Sequence, residues 1–190
     1  MTRIVIFASG AGSNVENIAK YFVGSKKIVI QKVLCNKKEA GVFDRCKRLK
    51  IPCEWFSKEA FYDSDKLLNL LLKTADAIIL AGFIWKVPET FIMAYPNKII
   101  NIHPSLLPKY GGKGMYGIHV HRAVKQNDEK ETGITIHFVN NQYDQGAIIF
   151  QAKTLLQSTD SPEDIAKKIH ALEAKYFPVV IENTLLKNGK

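Results

Sequence analysis

The chain has 190 residues, 46% hydrophobic and 24% charged, with a formal net charge of +9. That length suits one well-buried domain spanning 1–190 and is short for two, and the composition is that of a soluble globular protein. No run of 18 apolar residues occurs, so no transmembrane helix or membrane partner is expected.

The basic residues, among them Lys26-Lys27, Lys37-Lys38, Lys47-Arg48 and Lys167-Lys168, are scattered rather than gathered in one tract. A small anionic ligand fits them at least as well as nucleic acid. Cys35, Cys46 and Cys53 are too few and too irregular for a disulfide framework or a zinc site. The apolar start Ile4-Val5-Ile6-Phe7 is too short for a signal peptide, and a cytoplasmic location is expected.

In chain order, Arg3 to Ala8 reads as a strand, Asn14 to Phe22 as a helix and Lys27 to Leu34 as a strand. Between the first two lies Ser9-Gly10-Ala11-Gly12-Ser13-Asn14. Glycines there let the backbone approach an anion, and a helix amino end offers free N–H groups to phosphate. A dinucleotide site would want a third glycine and an acid about 20 residues on. Position 15 is Val and the next strand ends at Cys35-Asn36, so the loop suits one phosphate group. A plain tight turn with a Ser or Asn helix cap is the alternative.

A helix at Ala40 to Leu49 and a short strand at Cys53 to Phe56 follow, then one helix from Lys58 to Thr74, opened by Ser57 and carrying Leu67, Leu70 and Leu71. Ala77 to Ala81 is an apolar run without alternation, as expected of a strand covered on both faces. Pro88 to Tyr95 is a short helix with proline in its first turn.

Lys98-Ile99-Ile100 then leads into Asn101-Ile102-His103-Pro104-Ser105-Leu106-Leu107-Pro108. Asn101 and His103, two apart on a strand, point to the same side of the sheet. In open α/β sheets ligands gather beyond the carboxyl ends of strands. The amide can donate to a developing oxyanion, and the imidazole can move a proton near neutral pH. A polar strand end whose histidine caps a loop explains Asn-x-His alone equally well; the attached Pro-Ser-Leu-Leu-Pro segment favours chemistry.

A helix from His119 to Gln126 comes next, then strands at Thr132 to Val139 and Ala147 to Leu156, joined by a polar turn from Asn140 to Gly146. Ser161-Pro162-Glu163-Asp164 opens the last helix. His119 and His121, two apart on a helix, point apart and so make a poor metal pair. His137 alternates inward with Thr135 and reads as a core or supporting histidine. The pattern predicts an α/β fold: a doubly wound, mostly parallel, Rossmann-like sheet with an antiparallel strand pair near the C-terminus.

Taken together, Gly12 to Asn14, Leu80-Ala81-Gly82-Phe83, Asn101 to Tyr110, Gly133 to Gly146, and Glu173 with Tyr176 and Pro178 give a chain that resembles the glycinamide ribonucleotide formyltransferases. These are folate-dependent transferases of purine biosynthesis within the formyl-folate transferase family. The resemblance implies that Asn101, His103 and Asp144 are catalytic. It implies that Gly12, Ser13, Asn14 and Val15 hold the ribonucleotide phosphate, and that Glu173 with the turn from His170 meets its ribose and glycinamide side. Ile84, Trp85, Lys86 and Val87, with Asn140, Asn141, Gln142, Tyr143 and Asp144, would line the pterin pocket, Asn101 reaching the folate as well. Lys58 would meet the folate tail. The sequence departs from the family pattern at Trp85, where an arginine is expected, at the long loop Gly111 to Gly117, and at Gln145, where a glycine is expected.

The implied co-substrate is 10-formyltetrahydrofolate, with no metal and no nucleic acid, and the chain would act as a monomer or weak homodimer. Asp144 would keep His103 as imidazolium. A tRNA formyltransferase is expected to carry a second RNA-binding domain after this one, and a formyltetrahydrofolate hydrolase a regulatory domain before the Gly-rich loop. A non-catalytic basic nucleotide- or RNA-binding module accounts for the charge but not for Asn101, His103 and Asp144 together.

Overall fold

The apolar runs become seven strands of one sheet in a computed structural model that describes residues 1–187. The strands are β1 (Thr2–Ala8), β2 (Ile28–Cys35), β3 (Cys53–Trp55), β4 (Ala77–Leu80), β5 (Ile99–His103), β6 (Glu131–Phe138) and β7 (Ile148–Leu155). The helices are α1 (Ser13–Phe22), α2 (Val42–Leu49), α3 (Lys58–Tyr62), α4 (Asp65–Thr74), α5 (Glu89–Ala94), α6 (Ile118–Gln126) and α7 (Pro162–Lys187).

The strand order is β3-β2-β1-β4-β5-β6-β7. Strands β1 to β5 pair in parallel, while β6 is antiparallel to both β5 and β7. The expected antiparallel pair is therefore part of a three-strand region in which β6 alone is reversed. The chain winds outward from β1 to β3, then restarts at β4 on the other side of β1. That reversal places a crevice at the carboxyl ends of β1 and β4.

Helices cover both faces, which is why the central strands are apolar throughout. On one face Val15, Ile18, Val42, Val120, Ile169 and Phe177 pack from α1, α2, α6 and α7. On the other, Phe61, Leu67, Leu71 and Phe91 pack from α3, α4 and α5.

The predicted helix from Lys58 to Thr74 is two helices. Ser57 caps the first through Ala60 N–H at 3.2 Å, and Ser64 caps the second through Lys66 N–H, also at 3.2 Å. A second serine cap restarts the helix in a new direction, so Leu68 is buried with Leu67 and Leu71 while Leu70 is exposed. Among the described residues no helix is long and apolar enough to cross a membrane.

Candidate active site

The loops after β1, β4 and β5 lie side by side, and a cavity of about 720 Å³ opens between them. Residues from α6, α7 and the loops around Lys113 and Asp144 complete its wall.

On the β1 side the wall is Ser9 to Asn14. Glu16 N–H bonds the Gly12 carbonyl at 3.0 Å, leaving the N–H groups of Ser13, Asn14 and Val15 free of helical partners. Gly12 has φ +77°, and a Cβ there would stand 2.6 Å from Val42 Cγ2. Only glycine suits both constraints. The Val15 side chain is fully buried in the core, so it can offer only its backbone. The Asn14 side chain turns to α7, where Nδ2 donates to Glu173 Oε2 at 3.0 Å. Burial pushes the Glu173 carboxyl up to about 7, with the Asn14 hydrogen bond opposing it. His170, one helical turn before Glu173, lines the same wall.

On the β5 side Asn101 and His103 both reach the cavity, as their spacing predicted. Asn101 stands opposite His137 on β6. His137 Nδ1 donates to the Phe138 carbonyl at 2.7 Å, which leaves Nε2 to accept from Asn101 Nδ2 at 3.0 Å. This bond fixes the plane of the Asn101 amide. His103 Nε2 donates to the Tyr110 carbonyl at 2.7 Å, and its Nδ1 lies 3.5 Å from Asp144 Oδ2. The segment behind His103 is clamped by Thr135, whose Oγ1 donates to the Ser105 carbonyl at 2.7 Å and accepts from Leu107 N–H at 2.9 Å.

Asp144 joins the group from the turn between β6 and β7. Its Oδ2 accepts from Gly112 N–H at 2.9 Å, and its Oδ1 is 3.7 Å from His137 Nε2. Its φ is +55°, a left-handed conformation that Asp tolerates better than most residues. Burial raises the cost of its charge, but His137, His103 and the Gly112 N–H outweigh that and hold its pKa below the ordinary value.

The expected charging of His103 by Asp144 is opposed by burial. Burial pushes its pKa below the ordinary histidine value, and Asp144 and the Tyr110 carbonyl offset only part of that.

Of the residues expected around a pterin, Ile84, Asn101, Tyr143 and Asp144 line the cavity. Ile84 N–H donates to Ser9 Oγ at 3.1 Å, which ties the β4 loop to the β1 loop. Trp85, Lys86, Val87, Asn140, Asn141, Gln142 and Lys58 lie outside its lining. Trp85 packs edge-on against Phe56 at 5.8 Å, and Val87 is buried in the second core. The Lys86 carbonyl accepts from Tyr62 OH at 2.8 Å, while Asn141 bonds Glu89 at 2.9 Å. Lys58 is the exposed first residue of α3.

The cavity also holds Lys37, Met115 and His121, which the sequence did not single out as site residues. A signal existed for His121, which falls three residues after Ile118 and three before Val124 on the inward face of α6. Among the described residues no three His, Cys, Asp or Glu side chains are grouped so as to share a metal ion.

A family model described as formyl transferase matches residues 2–181. The chain belongs to the formyl transferase family. Among its relatives, phosphoribosylglycinamide formyltransferase of Bacillus subtilis is 34% identical, with 100% of this chain and 98% of that one covered. The Escherichia coli protein of the same name is 33% identical over 94% of this chain and 85% of its own. A chloroplastic counterpart from Arabidopsis thaliana is 37% identical over 94% of this chain, which spans 64% of that longer protein. The crystal structure of phosphoribosylglycinamide formyltransferase from Anaplasma phagocytophilum superposes with a TM-score of 0.85, at 32% identity over 95% of this chain and 85% of that one.

Proposed function

We propose that the chain transfers the formyl group of 10-formyltetrahydrofolate to the amino group of glycinamide ribonucleotide, a step of purine biosynthesis. The observation that carries this is the meeting of Asn101, His103 and Asp144 in a cavity that continues to the free N–H groups of α1 and to Glu173. The ribonucleotide phosphate is assigned to Gly12, Ser13, Asn14 and Val15, all through backbone N–H groups, and its ribose side to His170 and Glu173. Formyl-folate is assigned to the wall of Ile84, Asn101, Tyr143 and Asp144, with its tail directed toward Lys58.

Attack of the amine on the formyl carbon gives a tetrahedral adduct with negative charge on oxygen. Asn101, its amide plane set by His137, donates to that oxygen; losing such a donor typically costs about 10²–10³ in rate. Neutral His103 can take the proton that the attacking amine releases. The imidazolium so formed lies beside Asp144, which stabilises it, and gives the proton to the folate nitrogen as the C–N bond breaks. For Nε2 to take that proton it must leave the Tyr110 carbonyl, with the ring's one hydrogen then on Nδ1, toward Asp144.

The test is to mix the protein with 10-formyltetrahydrofolate and glycinamide ribonucleotide and follow both loss of donor and formylated product. Loss of donor to water alone would identify a hydrolase instead.

A further inference from the structure

His121 lines the cavity yet has no part in the scheme above. It is 3% exposed on α6, and its Nδ1 is buried with no hydrogen-bond partner. Its neighbours along the wall are His103 and His170. Burial, then His170 and His103, push its pKa down to about 4, so the ring carries a single N–H at working pH.

The position of that hydrogen follows from the sealed nitrogen. A proton on Nδ1 would bury a donor with nothing to accept it, whereas a bare Nδ1 buries only a lone pair, the less costly defect. The hydrogen therefore sits on Nε2, the ring nitrogen that is not sealed off. His121 lines the cavity near His103 of the transfer centre and His170 of the Glu173 wall. Ile84 and Tyr143, the folate side, belong to other loops of that wall.

We propose that His121 is a binding residue for the ribonucleotide, donating its Nε2–H to an oxygen between the ribose and the glycinamide carbonyl. This rests on the function proposed above. An uncharged donor suits a hydroxyl or amide oxygen, and it adds no positive charge beside His103, which must itself be free to take a proton.

The experiment measures glycinamide ribonucleotide binding by calorimetry in three variants, alongside binding of a non-transferable folate analogue. Gln at this position places amide hydrogens near where Nε2–H stands, whereas Asn reaches only as far as Nδ1. His121→Gln is expected to bind within about 3-fold of the parent. His121→Asn and His121→Phe should bind about 5- to 30-fold more weakly, with folate affinity unchanged and KM for ribonucleotide moving more than kcat. Parent-like ribonucleotide affinity in the Asn and Phe variants overturns the assignment. So does equal loss of both ligands in the Gln and Asn variants. If the Phe variant fails to fold, the Gln and Asn pair decides. Failure of the proposed function shows separately, as absence of ribonucleotide binding by the unaltered protein, and takes this inference with it.

Discussion

At the β1–α1 end of the cavity the groups on offer are backbone N–H donors, whereas at the β5–β6 end they are side chains held by other side chains. The first end depends on shape. Gly12 leaves room for Val42, Val42 N–H holds the Gly10 carbonyl at 3.1 Å, and α1 begins with its donors unpaired. The second end depends on chemical identity. Asn101 needs His137 as acceptor, His103 stands between Tyr110 and Asp144, and Thr135 pins the segment between them. A substitution should therefore act sterically at one end and electronically at the other. The two kinds of damage separate in kinetics: the first in ribonucleotide affinity, the second in turnover.

The largest effect is expected at the second end. Asp144→Asn keeps the shape of the side chain and can still accept from Gly112 N–H, but it cannot stabilise an imidazolium. Turnover should fall by roughly 10²–10⁴, the range for lost acid–base function, with ribonucleotide affinity little changed. Burial already depresses the His103 pKa, and Asp144 is the strongest group opposing it. Removing the charge should lower that pKa further, which titration of the His103 ring by NMR reads directly. A His103 titration that stays put, with near-normal turnover, would take Asp144 out of the mechanism and erase the contrast between the two ends.

At the first end Gly10 makes a cleaner probe than Gly12. A side chain at Gly12 would be strained at its positive φ and would press on Val42, so fold and site would fail together. A Cβ at Gly10 meets nothing within 4 Å, yet Gly10 lines the cavity. Gly10→Val should leave the melting temperature within a few degrees while obstructing approach of the phosphate. Loss of two or more hydrogen bonds to a charged group predicts about 10²-fold weaker ribonucleotide binding, with folate-analogue affinity retained. Equal weakening of both ligands would show that the phosphate does not sit on this loop.

Much of this contrast is legible in the sequence. The strands are apolar runs whose lack of alternation already implies helices on both faces, and the period of a strand puts Asn101 and His103 on one side. The Gly-rich loop announces itself by composition and by its place before a helix. What could not be read depends on distant partners. No proline or glycine marks Asp63-Ser64, so local pattern cannot show that a second cap splits the helix there. Asn14 stands in the phosphate loop, but only its backbone is left for a ligand, because its side chain is taken by a residue 159 positions away. The net shift of His103 is decided by burial, a property of the assembled fold, although the charge pairing with Asp144 was foreseeable. Trp85 stands in the expected pterin segment, yet the aromatic cluster of Phe56 and Phe61 draws it into packing.

The smallest effect on ligand binding and turnover is expected at Glu173, which belongs to the shape-dependent end but carries a buried carboxyl. Its side chain is held by one hydrogen bond from Asn14, and burial lifts its pKa to about 7 from an ordinary value of 4.5. The folded protein therefore binds more protons than the unfolded chain between about pH 4.5 and 7. Stability from this group is fully present below the unfolded value, falls as pH rises through that window and levels off above the folded value. Glu173→Gln keeps an oxygen to accept from Asn14 and removes the charge. It should flatten this part of the pH–stability curve and raise stability at pH 8 by about 3 kcal/mol, the free energy that corresponds to a rise from 4.5 to about 7. Chemical denaturation of both proteins at pH 5 and pH 8 measures it. The same variant should bind ribonucleotide less well, because a carboxylate accepts from two hydroxyls and an amide oxygen from fewer. Greater stability with weaker binding would mark Glu173 as a charge kept in place for its ligand. Unchanged stability at both pH values would mean the carboxylate is solvated in the free protein, and that the wall between α1 and α7 is open to water.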